Sequence, residues 1–175
     1  MFKKIGIIVL NFFKSSRKVE ILQMIIVPLF LTVLLFLFFN NRIINFNQFS
    51  DNFNDTIVSI ASLLSAFGLT AISLFITSSS ENIKAADKTM TDRVDRRGKK
   101  VSLYKLQLFR AFFSLLVQAF LLLISVVFKF FCEGEFYTKP FFYFEVWIFF
   151  IAIISQIQVI ISMYFMFIKA RYSEE

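Results

Sequence analysis

Ile21–Phe39 is a run of nineteen residues without a single charge, and three more apolar runs of similar kind follow it along the chain. At about 1.5 Å of rise per residue, a helix over this run measures about 28 Å, enough to cross the hydrocarbon core of a bilayer. Lipid tails cannot satisfy backbone N–H and C=O groups, so such a run spans the core as a helix. The other runs are Ile57–Thr77, Leu106–Phe128 and Phe141–Ile168. Together the four predict an all-α, polytopic membrane protein with four transmembrane helices. Composition agrees, since 58% of the 175 residues are hydrophobic, more than a soluble domain carries.

The spans pair into two hairpins, 21–77 and 106–168, joined by a polar connector over 78–105. This connector holds eight of the nineteen Lys and Arg residues. Ser78 with Glu81 reads as a capping box, and Ile83, Met90 and Val94 fall near one helical face, so a helical connector ending at Gly98 is expected. Residues 1–20 place Phe2, Ile5, Ile8, Val9, Phe12 and Phe13 at helical spacing, with lysines largely elsewhere on the wheel. An amphipathic helix in the headgroup layer fits this pattern. A cleaved signal peptide fits less well, because no small-x-small site precedes the apolar run. Asn40–Thr56 and Lys129–Pro140 read as short external loops, and 169–175 as a tail.

Charge sets the expected orientation. Fifteen of the nineteen basic residues fall in the N-terminal segment, the connector and the tail. Lys and Arg accumulate on the cytoplasmic side, so both termini are expected there. The same rule accounts for most of the net charge of +7 without invoking nucleic acid. The connector has no aromatic before Tyr104 on which bases could stack, so direct nucleic-acid binding is not expected.

The sequence offers little to an enzyme. There is no histidine, one cysteine (Cys132), and glycine only at 6, 68, 98 and 134. An intrachain disulfide, the usual zinc and haem ligand sets and a glycine-rich phosphate loop are therefore excluded, and no cofactor is expected. Within the spans the one acid is Glu145, read as lying near the outer end of the fourth, solvated or paired with Lys139 or Lys129. Nucleophilic or acid–base chemistry in the membrane needs a second partner at matching depth.

Three features point to contacts instead. Ser59, Ser62, Ala66, Thr70, Ser73 and Thr77 recur at spacings of three and four, a small-residue stripe that lets helices approach closely. The stripe suits packing within the chain or a contact shared between subunits. Gln118 and Gln156 fall near mid-membrane, where an unpaired amide is costly, and should pair with each other or with copies in neighbouring subunits. In the connector, Arg93, Arg96, Arg97, Lys99 and Lys100, with Met90 and Val94, are candidates for contact with a partner protein or the lipid surface.

The chain combines four spans and expected cytoplasmic termini with a helical basic connector set between a Ser/Ala-rich second span and a third opening YKLQLFRAFFSLLVQAFLLL. This organisation resembles the membrane subunits of Kiwa anti-phage defence systems. The resemblance implies a homo-oligomeric membrane platform, sensing membrane perturbation and working with a soluble cytoplasmic effector that binds or acts on phage DNA. The alternative reading of the same features is a small pore or transporter lined by the second span.

Overall fold

The computed structural model describes residues 2–39, 46–77, 81–131 and 135–172. Among these the elements are α1 (Phe2–Ser15), α2 (Lys18–Phe39), α3 (Phe46–Thr77), α4 (Glu81–Lys88), β1 (Met90–Val94), β2 (Lys100–Ser102), α5 (Leu103–Phe131) and α6 (Glu135–Tyr172). The protein is all-α apart from the small hairpin. Four helices, α2, α3, α5 and α6, are long and apolar enough to cross a membrane.

The antiparallel pair α5 and α6 forms the centre. Helix α3 packs chiefly on α5, α2 packs on α6, and α1 lies against α5. Ile57 and Ala61 of α3, Leu121 and Ile124 of α5, and Ile148, Phe149 and Ala152 of α6 build the main core. Small residues bring the backbones together here. At Gly68 a Cβ would sit 2.8 Å from Leu115 Cδ2, so α3 approaches α5 at a distance that no larger residue permits without displacing Leu115. Helix α2 is the peripheral one. Leu22, Ile26, Phe30, Val33 and Leu37 stay exposed on its outer side, as residues facing acyl chains do. Its Pro28 is buried, and the Thr32 hydroxyl donates to the Pro28 carbonyl at 2.9 Å.

Two expected loops are shorter than the sequence suggested. Helix α3 starts at Phe46, so most of Asn40–Thr56 is helical despite its asparagines. The reason is a second periodicity. Phe46, Phe49 and Phe53 recur at three and four, and all three rings pack edge-on against Phe142 of α6. At the other turn, α5 runs to Phe131 and α6 begins at Glu135, so Lys129–Pro140 is also mostly helix; residues 132–134 and 40–45 lie outside the described ones.

The connector departs furthest from expectation. It is not one helix: α4 stops at Lys88, and an antiparallel hairpin follows, pairing Met90 with Ser102 and Val94 with Lys100. Gly98 is not a helix stop. It closes a three-residue turn with φ of +73°, a left-handed conformation that favours glycine. The Asp95 carboxylate accepts the backbone N–H of Arg97 at 2.7 Å and of Lys99 at 3.0 Å, fixing that turn. Ser102 then caps α5, its hydroxyl accepting the Lys105 N–H at 3.3 Å and donating to Asp87 at 2.9 Å. The expected capping serine, Ser78, lies outside the described residues.

Helix α1, expected at the headgroup layer, packs against the bundle. Phe12 is buried, and its ring stacks parallel to that of Phe113 on α5, 3.8 Å between centroids. Leu10 and Phe13 remain exposed for lipid.

Candidate functional site

The end of the bundle that carries α1, the start of α2 and the hairpin is tied together by one carboxylate. Glu20 occupies the first turn of α2, where acidic residues suit the positive end of the helix dipole. Its Oε2 accepts the Arg17 N–H at 3.1 Å, capping the helix, and also Arg110 Nη2 at 3.0 Å. Its Oε1 accepts Arg93 Nη2 at 2.7 Å. Arg93 sends its other terminal nitrogen to the Ser15 carbonyl at 3.2 Å, the last residue of α1. One side chain therefore joins α1, α2 and β1, and Glu20 extends the connection to α5. The backbone N–H of Arg96 adds a bond to the Asn11 side chain at 3.3 Å.

This cluster was not visible in the sequence. An arginine this near the end of a span is expected to snorkel to the headgroups. Arg110 instead reaches Glu20, with only 14% of its side chain exposed. Arg93 is likewise turned inward, 16% exposed, rather than offered to a partner.

The remaining connector candidates divide by strand geometry. In β1 the alternation leaves Thr91 and Arg93 half-buried and Met90, Asp92 and Val94 outward. Met90 and Val94 thus share an exposed strand face, not a helical stripe with Ile83, which packs near Ala86. Arg96, Arg97, Lys99 and Lys100 are all exposed at and beside the turn. The N–H of Lys99, then that of Arg97, holds the Asp95 carboxyl below its ordinary value of 3.8.

Deeper in the bundle, polar side chains form a ladder between α5 and α6. Gln118 and Gln156 meet within one chain, Nε2 to Oε1 at 3.0 Å, and Ser114 donates to the same Gln156 oxygen at 3.0 Å. Ser155 stands 3.1 Å from Ser114. One rung nearer the hairpin, Gln107 donates to the Val159 carbonyl at 3.0 Å and accepts from Ser162. One rung farther, Ser125 donates to Glu145. Gln107, Ser114, Gln118 and Ser125 are spaced seven, four and seven along α5, which puts them on one face.

Glu145 contradicts its expected setting. It is fully buried against α5, while Lys129 pairs with Asp55 at 2.8 Å and Lys139 lies over the Phe46 ring. Helix α6 begins ten residues before Glu145, about 15 Å of rise, which carries the carboxyl well inside the bundle.

The small-residue stripe of α3 faces away from the other helices. Ser59, Ser62, Ala66, Thr70, Ser73 and Thr77 are all exposed, and the buried side of α3 is Ile57, Ala61, Gly68, Ile72 and Phe75 instead. Thr70 and Thr77 turn their hydroxyls back to their own helix, donating to the carbonyls of Ala66 and Ser73 at 2.9 and 2.8 Å. Close helix packing within the chain is therefore not this stripe's role.

Among the described residues, no group of three or more Cys, Asp or Glu side chains gathers as metal ligands do. Comparison with protein-family models, curated proteins and solved structures finds no match to this chain.

Proposed function

We propose that the chain is a non-enzymatic, homo-oligomeric platform of a bacterial inner membrane that presents a basic hairpin to a soluble cytoplasmic effector. The observation that carries this reading is the division of labour within the hairpin. Arg93 anchors it to α1 and α2, while Arg96, Arg97, Lys99 and Lys100 stand free in solvent. A flexible connector would lose entropy on binding; a hairpin already fixed to the membrane helices has less to lose. Its charge suits an acidic partner surface, which clustered lysine and arginine attract from a distance. The resemblance to Kiwa membrane subunits adds the biological setting: a defence system in which perturbation of the membrane is passed to an effector.

Reversal of Arg96, Arg97, Lys99 and Lys100 to glutamate tests this reading. The variant leaves the Glu20 cluster and every span intact, and with its orientation verified by cysteine labelling, since the same charges orient the chain, co-purification of the cytoplasmic effector should fall. Undiminished effector binding would sink the proposal. Arg93 is left out because its loss would loosen the hairpin itself.

A second reading, a pore lined by α3, rests on the outward-facing hydroxyl stripe, which copies of the chain could turn toward a shared axis. Ion flux through purified protein in liposomes at rest favours the pore; tight vesicles favour the platform.

A further inference from the structure

The arginine cluster is short of negative charge, and it opens into a cavity. Arg93 and Arg110 share the single carboxylate of Glu20, which leaves the trio with one uncompensated positive charge. Arg17 and Asp92 line the same cavity, so its three arginines and two carboxylates leave a net charge of +1, and Asp92 faces outward without an ion pair among the described residues. Two guanidiniums held together in a part-buried setting repel each other unless an anion joins them. Arg110 spends one of its five donors on Glu20.

The cavity measures about 800 Å³ and sits where α2, β1, α5 and α6 meet. Its position matters as much as its charge. Glu20 lies in the first turn of α2 and Arg110 about two turns into α5, both toward the hairpin end of two helices long and apolar enough to cross a membrane, the region where a bilayer places its lipid phosphates. The wall contributed by α6 sets Gln158 and Ser162 beside Ile161, Phe165 and Met166, and Ile161 and Phe165 are half or more exposed on the side of a helix long enough to span. Positive, donor-rich side chains above and exposed hydrocarbon below match the two halves of a phospholipid. Guanidinium forks bind phosphate oxygens with paired, charge-assisted bonds.

We infer that this cavity binds a phosphate group between Arg17, Arg93 and Arg110, the anion completing a cluster that Glu20 neutralises only in part. Such a phosphate has two possible sources, the headgroup of an anionic lipid or a soluble phosphate. The inference rests on the membrane fold and is independent of the effector, so either proposal can fail alone.

Retention of phosphatidylglycerol and of phosphatidylcholine with matched acyl chains, read by native mass spectrometry of the full chain in neutral detergent, tests it. Phosphatidylglycerol should be retained in preference, and Arg110→Gln should lower that retention about tenfold, the worth of one charge-assisted contact. Arg110→Lys should restore part of it. Glu20→Gln supplies the opposite sign: removing the competing carboxylate should raise retention, whereas a purely structural cluster would lose lipid in both variants. Inorganic phosphate that displaces the lipid and protects the chain from heat equally well assigns the site to a soluble phosphate. Equal retention of the two lipids with no effect of inorganic phosphate, or a fall in Glu20→Gln matching that in Arg110→Gln, overturns the inference.

Discussion

Arg93 on β1 and Glu20 on α2 are 73 positions apart in sequence and 2.7 Å apart in space, so a hairpin of the kind found in soluble proteins is bonded to a membrane helix. Both side chains are largely covered, at 16% and 27% exposed, which removes most of the solvent screening that makes surface ion pairs weak. Removal of Glu20 leaves two part-buried guanidiniums facing one another.

Glu20→Ala should therefore lower unfolding free energy by about 3 kcal/mol in neutral detergent without anionic lipid. The hairpin should loosen before the spans do. Amide hydrogen exchange, faster in β1 and unchanged at mid-span, reads this directly; equal acceleration throughout would mean the cluster is not local to this end.

The glutamine pair predicts a measurable coupling. Gln118→Leu, Gln156→Leu and the double variant form a cycle whose interaction energy should be about 1 kcal/mol, typical of side-chain bonds between membrane helices. A coupling near zero would show that Ser114, which also bonds Gln156, carries the contact alone.

Replacement of Ala66 or Ser73 by Leu should leave the thermal stability of the single chain unchanged, because both side chains point away from the bundle. In a homo-oligomer built through this face, the same change should overfill the contact at about 1–3 kcal/mol. Light scattering in detergent should then report smaller particles of unaltered helicity. Gly68→Leu is the contrast: it meets Leu115 inside the chain and should lower stability itself.

The turn predicts a pH dependence. Asp95 titrates below 3.8 in the folded chain, so its carboxylate form is favoured by folding. Its contribution is complete above the unfolded value and is lost as pH falls through the lower folded value. Protection of the Arg97 and Lys99 amides should fade only below about pH 4, and Asp95→Ala should abolish that transition.

What the sequence disclosed follows from the physics of each signal. The spans were legible because uncharged length is itself the requirement for crossing hydrocarbon. The mid-span glutamines were conspicuous because few positions are polar there. The stripe on α3 misled because small residues at helical spacing mark a face without saying which way it points. On the same helix, Phe46, Phe49 and Phe53 carried the start of the helix, but asparagines between them masked the period. Ile83, Met90 and Val94 fitted a helical face, yet Met90, Asp92 and Val94 also alternate as strand residues, and Asp95 with Gly98 spells a turn. Nothing local joins Glu20 to Arg93 or Arg110; only the tertiary fold does.

The exposed flank of α2 has a mechanical consequence. This helix is the least buried of the four, so in a bilayer hydrophobic mismatch would act on it more freely than on the central pair. A bilayer that thinned or thickened would change its tilt, with Glu20 at one end. Through Arg93 that displacement would be delivered to β1, while Ser102 keeps β2 pinned to α5. Strand β1 is thus tied to α2 through Glu20 and β2 runs directly into α5, so a change in tilt between those two helices would load the hairpin and the Glu20–Arg110 bond together.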